Sequence, residues 1–332
     1  MAQANLHQLF LWRFPLLFIS LWLITSSCKK MDDTVRVIVD KTFLFNDLPS
    51  ASALSVSGDS IFVAGDDTPV LYQLDKAFRQ VDRFLLLPHF AGQQRIPKPQ
   101  KPDLESMAEG LCEGQPCLVL FGSGSLSPQR DSMYLFFPGA PDNTRVFDVN
   151  FLYQQIRESA GITADELNIE GAVIAGETLH LFNRGRNFVA SLSWPQLLKS
   201  LYQKTNIFDL DVVITPVSLP DHHGVPMGFS GASPAPGTNW MLFTATVEDT
   251  DNWYDDGEIL GSYAGGLFLP ETGDAEITWL APVTDHNGLG VKDKIESIAY
   301  LHTDAQGHVH ALAVTDNDDG ASKLLELIIQ RN

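Results

Sequence analysis

Most of the chain is short apolar runs, each closed by a turn rich in Gly, Asp, Ser or Pro. Runs of this length between turn signals are read as strands. They group into units of four. The first unit has strands at 52–56, 60–64, 70–74 and 80–87; the second at 104–108, 117–121, 132–137 and 144–151. The third has 169–174, 178–182, 188–192 and 211–219, and the fourth has 229–233, 239–244, 265–269 and 276–281. A last unit has only three, at 295–300, 309–314 and 324–329. Ser57-Gly-Asp59, Ala175-Gly-Glu177, Pro234-Ala-Pro-Gly237 and Gln306-Gly-His308 supply the turns. Residues 193–202 break the pattern and predict a helix, with Ser193 as N-cap and Pro195 in its first turn; 151–161 predicts a second helical insertion.

Each unit opens on a comparable residue beside a small one: Ser52, Glu105, Glu170, Ser230 and Glu296. The start-to-start spacings are 53, 65, 60 and 66 residues. Short strands at such a period predict an all-β fold, a β-propeller. Five blades are counted, and a sixth has room only around 193–208 or 249–262. The run 35–45 has no unit of its own and is expected to complete the last blade, closing the ring and removing an open edge.

The chain front changes the compartment. Residues 9–24 are almost wholly apolar and run into Thr25-Ser-Ser-Cys28, the pattern of a secretory leader with a lipoprotein cleavage box. The expected organisation is a signal peptide at 1–27, a tether at 28–34 lipidated on Cys28, and one propeller domain at 35–332. The expected location is the outer membrane, lipid-anchored, on its periplasmic or cell-surface side. Cys112 and Cys117 flank a Glu-Gly-Gln-Pro turn and are expected to form a disulfide after export. A net charge of -19 excludes nucleic acid as a partner.

The first strand of each unit is expected to line a central channel. Alternation along a strand then puts Asp103 with Glu105, Asn168 with Glu170, and Lys294 with Glu296. The second strands end in Gly65-Asp-Asp67, Gly122-Ser-Gly-Ser125, Asn183-Arg-Gly-Arg186, Glu248-Asp249 and Asp316-Asn-Asp318, all at the same mouth. Crowded carboxylates resist ionisation unless a cation offsets them. Ca²⁺ suits an oxygen-only set in an exported protein. Its candidate ligands are Asp66, Asp67, Asp103, Glu248, Glu296 and Asp316. Glu105 and Glu170 are the candidate catalytic carboxylates, as ligand or base. Arg130, Arg184 and Arg186, with Ser52 and Ser230, are candidates for holding a ligand; the arginines serve equally as structural ion pairs. His222-His223 offers a base in a loop, while His180, His308 and His310 fall on strands and read as packing residues.

These motifs resemble an uncharacterised family of bacterial lipoproteins, itself similar to phytase-like esterase propellers. The matching pieces include Gly65-Asp-Asp67, Asp103-Leu-Glu-Ser, Gly122-Ser-Gly-Ser with Arg130, Asn168-Ile-Glu-Gly, Asn183-Arg-Gly, Gly228-Phe-Ser-Gly and Asp256-Gly-Glu-Ile-Leu-Gly-Ser262. The resemblance implies a Ca²⁺-assisted phosphoester site in an acidic channel. Two functions follow as expectations. One is an exported module that binds a small anionic ligand, a glycan or a protein at a cation-binding mouth. The other is a Ca²⁺-dependent hydrolase of phosphate or carboxylate esters.

Overall fold

Val119 and Phe121 pack into one hydrophobic cluster, whereas Leu118 and Leu120, next to them in the same strand, pack into another. Side chains alternate across a strand, so a run that is apolar throughout must be covered on both faces. That requirement stacks sheet against sheet through the molecule. The computed structural model describes residues 34–203, 210–237, 239–249, 257–271, 273–316 and 320–331. The leader, Cys28 and the tether up to residue 33 lie outside the described residues.

The first strand, β1 (Val35–Phe45), precedes three four-stranded sheets. They are β2 (Ala51–Ser57), β3 (Ser60–Gly65), β4 (Val70–Leu74) and β5 (Gln80–Leu85); β6 (Leu104–Cys112), β7 (Gln115–Gly122), β8 (Ser132–Phe136) and β9 (Arg145–Asp148); and β10 (Ile169–Ala175), β11 (Thr178–Asn183), β12 (Phe188–Ser193) and β13 (Val213–Pro216). The remaining strands are β14 (Asp221–His222), β15 (Val225–Pro234), β16 (Trp240–Asp249), β17 (Glu258–Phe268), β18 (Glu276–Thr284), β19 (Ile295–Thr303), β20 (Val309–Asp316) and β21 (Ser322–Arg331).

β1 pairs antiparallel with β21, from Val35 opposite Arg331 to Phe45 opposite Ser322. It also pairs in parallel with β18 at Val37 and Ile38. That second pairing, invisible in the hydrophobic pattern, joins the last two units into one nine-stranded sheet. β17 runs well beyond the predicted 265–269. Among its described residues, neither stretch with room for a further unit supplies one: 194–203 is helical and 258–262 belongs to β17.

Five hydrophobic clusters lie between the units. One of them sets Leu312, Val314 and Leu324 of the last unit against Leu54, Ile61 and Val63 of the first. The first strands β2, β6, β10, β15 and β19 touch in that order, and β19 also touches β2. They approach closely. A Cβ on Gly231 would lie 2.6 Å from Ser297 Cα, and one on Gly171 would lie 2.9 Å from Ala232 Cβ. The small residue beside each repeat position (Ala53, Ser106, Gly171, Gly231, Ser297) is therefore a packing requirement.

Both helices are insertions. α1 (Asn150–Ala160) ends at Gly161, whose φ of 62° makes the left-handed C-cap, and it buries Leu152, Tyr153 and Ile156. α2 (Trp194–Gln203) starts where Gln196 N–H donates to Ser193 Oγ at 3.4 Å. Cys112 and Cys117 are joined by a disulfide across the β6–β7 turn.

Candidate functional site

In every first strand the register against its neighbour slips by one residue, and at the same place. The slips fall between Ala51 and Ala53, Leu104 and Ser106, Ile169 and Gly171, Phe229 and Gly231, and Ile295 and Ser297. The residues left out of the ladder are Ser52, Glu105, Glu170, Ser230 and Glu296. A bulge of this kind re-aims one side chain while the strand continues. The repeat positions are thus five bulges, and plain strand alternation does not describe them.

Around them runs a ladder of opposite charges. Lys101 Nζ bonds to Asp66 and lies 2.7 Å from Asp103 Oδ1. The other oxygen of Asp103 accepts from Arg130 at 2.6 Å and from Ser123. Asp67 accepts from Arg95 at 2.7 Å and from Ser50. Asn168 donates to Glu170 at 2.7 Å. Lys294 Nζ lies 3.0 Å from Glu296, and Arg184 donates to Glu248 at 2.8 Å. Among the described residues, the Glu105 carboxylate alone in this set stands in no hydrogen bond or ion pair. The ladder encloses a polar cavity of about 160 Å³, lined among others by Ser52, Asp66, Lys101, Asp103, Glu105, Asn168, Lys294, Glu296 and Asp316. Oxygens of Asp66, Asp103 and Glu105 all lie within 4.8 Å of one another.

The chain belongs to a family of unknown function, DUF6929. The family model matches residues 47–329, which takes in every site residue described. No curated protein matches the chain. Among solved structures, the glutaminyl cyclase of Myxococcus xanthus is similar at 11% identity, over 90% of this chain and 98% of that one, with a TM-score of 0.50. A streptogramin B lyase is similar at 9% identity, over 86% and 97% of the two chains, with a TM-score of 0.36. A chain of a nidogen–laminin complex is similar at 10% identity, over 84% of each, with a TM-score of 0.40. The likeness to the glutaminyl cyclase, a propeller-like protein, is one of fold alone.

In this DUF6929 chain the electrostatics follow from burial. Desolvation, together with the fields of Asp103, Glu170, Asp66 and Glu296, holds the Glu105 carboxyl well above the ordinary glutamate range. Burial likewise pushes Glu170 up to about 8; Glu296 and Asp103 add to the shift, and Arg184 and Lys294 hold it back. Glu296 and Asp66 are raised by burial too. Asp103 goes the other way: burial opposes its charge, but Lys101, Arg130 and Ser123 overcome it and keep the carboxylate ionised. Burial also opposes the charge on Lys294, and Glu296 and Glu248 outweigh it.

Several sequence candidates take other roles. Arg184 is buried and spent inside the fold, on Glu248, Thr246 and the Phe229 carbonyl, so it is an internal counter-ion and not a ligand clamp. Its stem crosses Gly228, where a Cβ would meet Arg184 Cγ at 2.7 Å. Glu248 is correspondingly occupied by Arg184 and by the Gly257 N–H, which leaves it no place in a metal set. Arg186 is largely exposed and faces Glu166 at 3.8 Å, away from the cavity. Gly185, at φ 89°, turns the chain between the two arginines, so their spacing does not place them together. Ser230 is fully buried with an unpartnered hydroxyl, outside the lining of the cavity. Ser52 donates to the Leu104 carbonyl at 2.6 Å and ties the first unit to the second. His222 bonds to Tyr263 OH at 2.6 Å, while His180, half-buried, is pushed down to about 4 by desolvation and bonds to Ser191. Three cavity residues were not singled out from sequence: Arg95, Lys98 and Lys101, brought in by the long connection before β6. Their three-residue spacing between prolines was the available signal.

Proposed function

We propose that this protein is an exported, lipid-anchored propeller of five blades whose acidic mouth binds a small ligand through a cation, Ca²⁺ in the first instance. The cycle of contacts among the first strands and the cluster between the last and first units support five blades. The pairing of β1 with β21 supports closure by the N-terminal strand. The leader and Cys28 support export and an outer-membrane anchor. The observation that carries the reading is Glu105. It is a carboxyl set among four others, in no hydrogen bond or ion pair among the described residues, beside two aspartate oxygens at cation-ligand separation. Oxygen atoms some 2.3–2.6 Å from a shared Ca²⁺ fall within such a distance of one another. Lys101 is the internal cation between Asp66 and Asp103; the oxygens of Asp66, Asp103 and Glu105 would hold a Ca²⁺ ion and supply it with anionic ligands.

The test is a calorimetric Ca²⁺ titration of chelator-stripped protein, with melting temperature followed against pH. The sign is set by the raised carboxyls. Between the ordinary glutamate value of 4.5 and about 8, the folded protein holds a proton on Glu170 that the unfolded chain has lost. Stability of the metal-free protein therefore falls as pH rises through that window. Ca²⁺ must displace those protons, so its affinity climbs over the same range and the bound protein loses the slope. A pH-independent melt, or no heat with Ca²⁺ at pH 8.5, refutes the reading.

A second reading, a Ca²⁺-dependent ester hydrolase, rests on Glu170 itself. A carboxyl that keeps its proton near neutrality can act as a general acid beside an unpartnered Glu105. It predicts Ca²⁺-dependent turnover of aryl phosphate or acetate esters, lost in the Glu105→Gln/Glu170→Gln double variant. Ligand capture without turnover leaves binding as the function.

A further inference from the structure

At the end of the strands away from the Glu105 cavity, a cleft of about 320 Å³ opens between the fourth unit and the last. Two irregular ladders build its walls. In the first, β17 and β18 match Leu267 with Ile277 and Gly266 with Trp279, skipping Thr278. Residues two apart on a regular strand share a face. The skipped residue puts Ile277 and Trp279 on opposite ones. Ile277 packs with Leu267 in one cluster, and Trp279 joins Ala281 and Val283 in the cluster shared with the last unit. Gly266 makes room for the ring. A Cβ there would lie 2.2 Å from Trp279 Nε1, so the indole lies against bare backbone. Trp240, at the start of β16, adds a second indole, 5.3 Å from the Phe268 ring.

The last unit supplies the other wall. β19 and β20 match Tyr300 with Ala311, skip Leu301, and bring Thr303 opposite Val309. Val309 in turn lies opposite Ile329 of β21. Directly opposed residues of an antiparallel pair share a face. Thr303, Val309 and Ile329 thus form one row along the cleft, with the Thr303 hydroxyl 3.1 Å from Tyr300 OH. Arg331, two residues beyond Ile329 on the same strand, extends that face to the rim.

Two polar groups stand unused on this apolar surface. Trp279 is 5% exposed, and its indole N–H has no hydrogen-bond partner among the described residues. A buried indole N–H ordinarily has an acceptor. Among the same residues the Arg331 guanidinium is in no ion pair, although the chain has 41 acidic side chains against 22 Lys and Arg. A guanidinium is a planar fork that fits a carboxylate. The volume stands at the lower end of the roughly 300–1,000 Å³ of small-molecule sites, which admits one ring system and not a run of sugars. Indole walls favour a flat ring over a flexible acyl chain, which loses more rotamer freedom on binding.

We propose that this cleft binds a small aromatic carboxylate, with its ring against Trp240 and Trp279 and its carboxylate on Arg331. The site does not rest on the reading of the acidic mouth. Glu296 stands at the start of β19 and Thr303 at its end, so the two sites occupy opposite ends of one strand.

Indole-3-acetate is the probe, and indole-3-acetamide its neutral control, each titrated calorimetrically into the unmodified protein. Expected is a Kd of about 1 mM or tighter for the acid, with the amide about tenfold weaker. In Arg331→Gln the acid is expected to fall to the affinity of the amide, and in Glu105→Gln both are expected to bind unchanged. In 5-fluorotryptophan-labelled protein the acid is expected to move the fluorine resonances of Trp240 and Trp279 and to leave that of Trp194 in place. That readout uses the unmodified sequence and stands even if a variant fails to fold. No binding of the acid at about 10 mM, equal affinity for acid and amide, or a preference for the acid that survives in folded Arg331→Gln overturns the proposal. So does binding that leaves the Trp240 and Trp279 resonances unmoved.

Discussion

Glu105→Gln protein is expected to lose Ca²⁺ binding by roughly 100-fold or more and, without the ion, to melt higher than the unmodified protein. Both effects have one cause. Glu105 stands in a cavity where Asp103, Glu170, Asp66 and Glu296 all oppose its charge, and burial opposes it further. Above the ordinary glutamate range the fold must hold that carboxyl protonated at a cost, and glutamine keeps the shape while removing the cost. The metal-free fold then gains about 1–3 kcal/mol, the usual cost of leaving a buried polar group uncompensated. Affinity falls because a hard cation is held by the number of anionic oxygens around it. A protein that keeps a carboxyl raised by burial in a cavity is trading stability for a site. A calorimetric titration beside a melting curve checks both parts. Unchanged Ca²⁺ binding, or a lower melting temperature without the ion, would show that Glu105 is merely one more residue of a solvated rim.

The second large effect is expected at Arg184. Arg184→Met should cost about 3–5 kcal/mol at pH 8, the range found when one partner of a buried ion pair is removed. The methionine chain follows the arginine stem past Gly228, so the loss is electrostatic and not a packing loss. Removing the guanidinium leaves Glu248 with Lys294 as its nearest cation, at 3.8 Å, and Lys294 is already engaged with Glu296. It also removes the largest influence holding back the rise of Glu170. The deficit should shrink as pH is lowered toward 5, where the carboxyls take up protons. Urea midpoints for the two proteins at pH 5 and pH 8 give the comparison. A deficit that is equal at both values would assign Arg184 a packing role instead.

Much of the architecture was legible in the chain. Unbroken burial in runs such as Leu118 to Phe121, whose side chains join two clusters in turn, follows from apolar residues on both faces. The small residue after each repeat position followed from the repeat and found its reason in the contact of inner strands, as Gly231 against Ser297 shows. Ser193 and Pro195 announced α2, and Gly161 closes α1 with the backbone angle that glycine favours. The two-residue parallel join of β1 to β18 was not legible, because it uses backbone groups at an edge and leaves no side-chain signature. The bulges were hidden for a similar reason: an extra residue in a ladder shows only when the partner strand is known. Five of them fall at the repeat positions, and another irregularity, at Leu301, makes neighbours of His302 and His310.

By itself, then, the sequence determined which segments are strands, where they turn and which positions recur, since each of these depends on residues close together in the chain. The tertiary structure alone decided which charges meet. Arg184 and Glu248 are 64 residues apart and bond, whereas Arg186, two residues from Arg184, faces solvent. It also decided which carboxylates hold protons, because the cost of a buried charge depends on every group that displaces water around it. Glu105, Glu170 and Glu296 look alike in the repeat, and only the neighbours that folding gives them leave Glu105, among the described residues, as the one of the three in no hydrogen bond or ion pair.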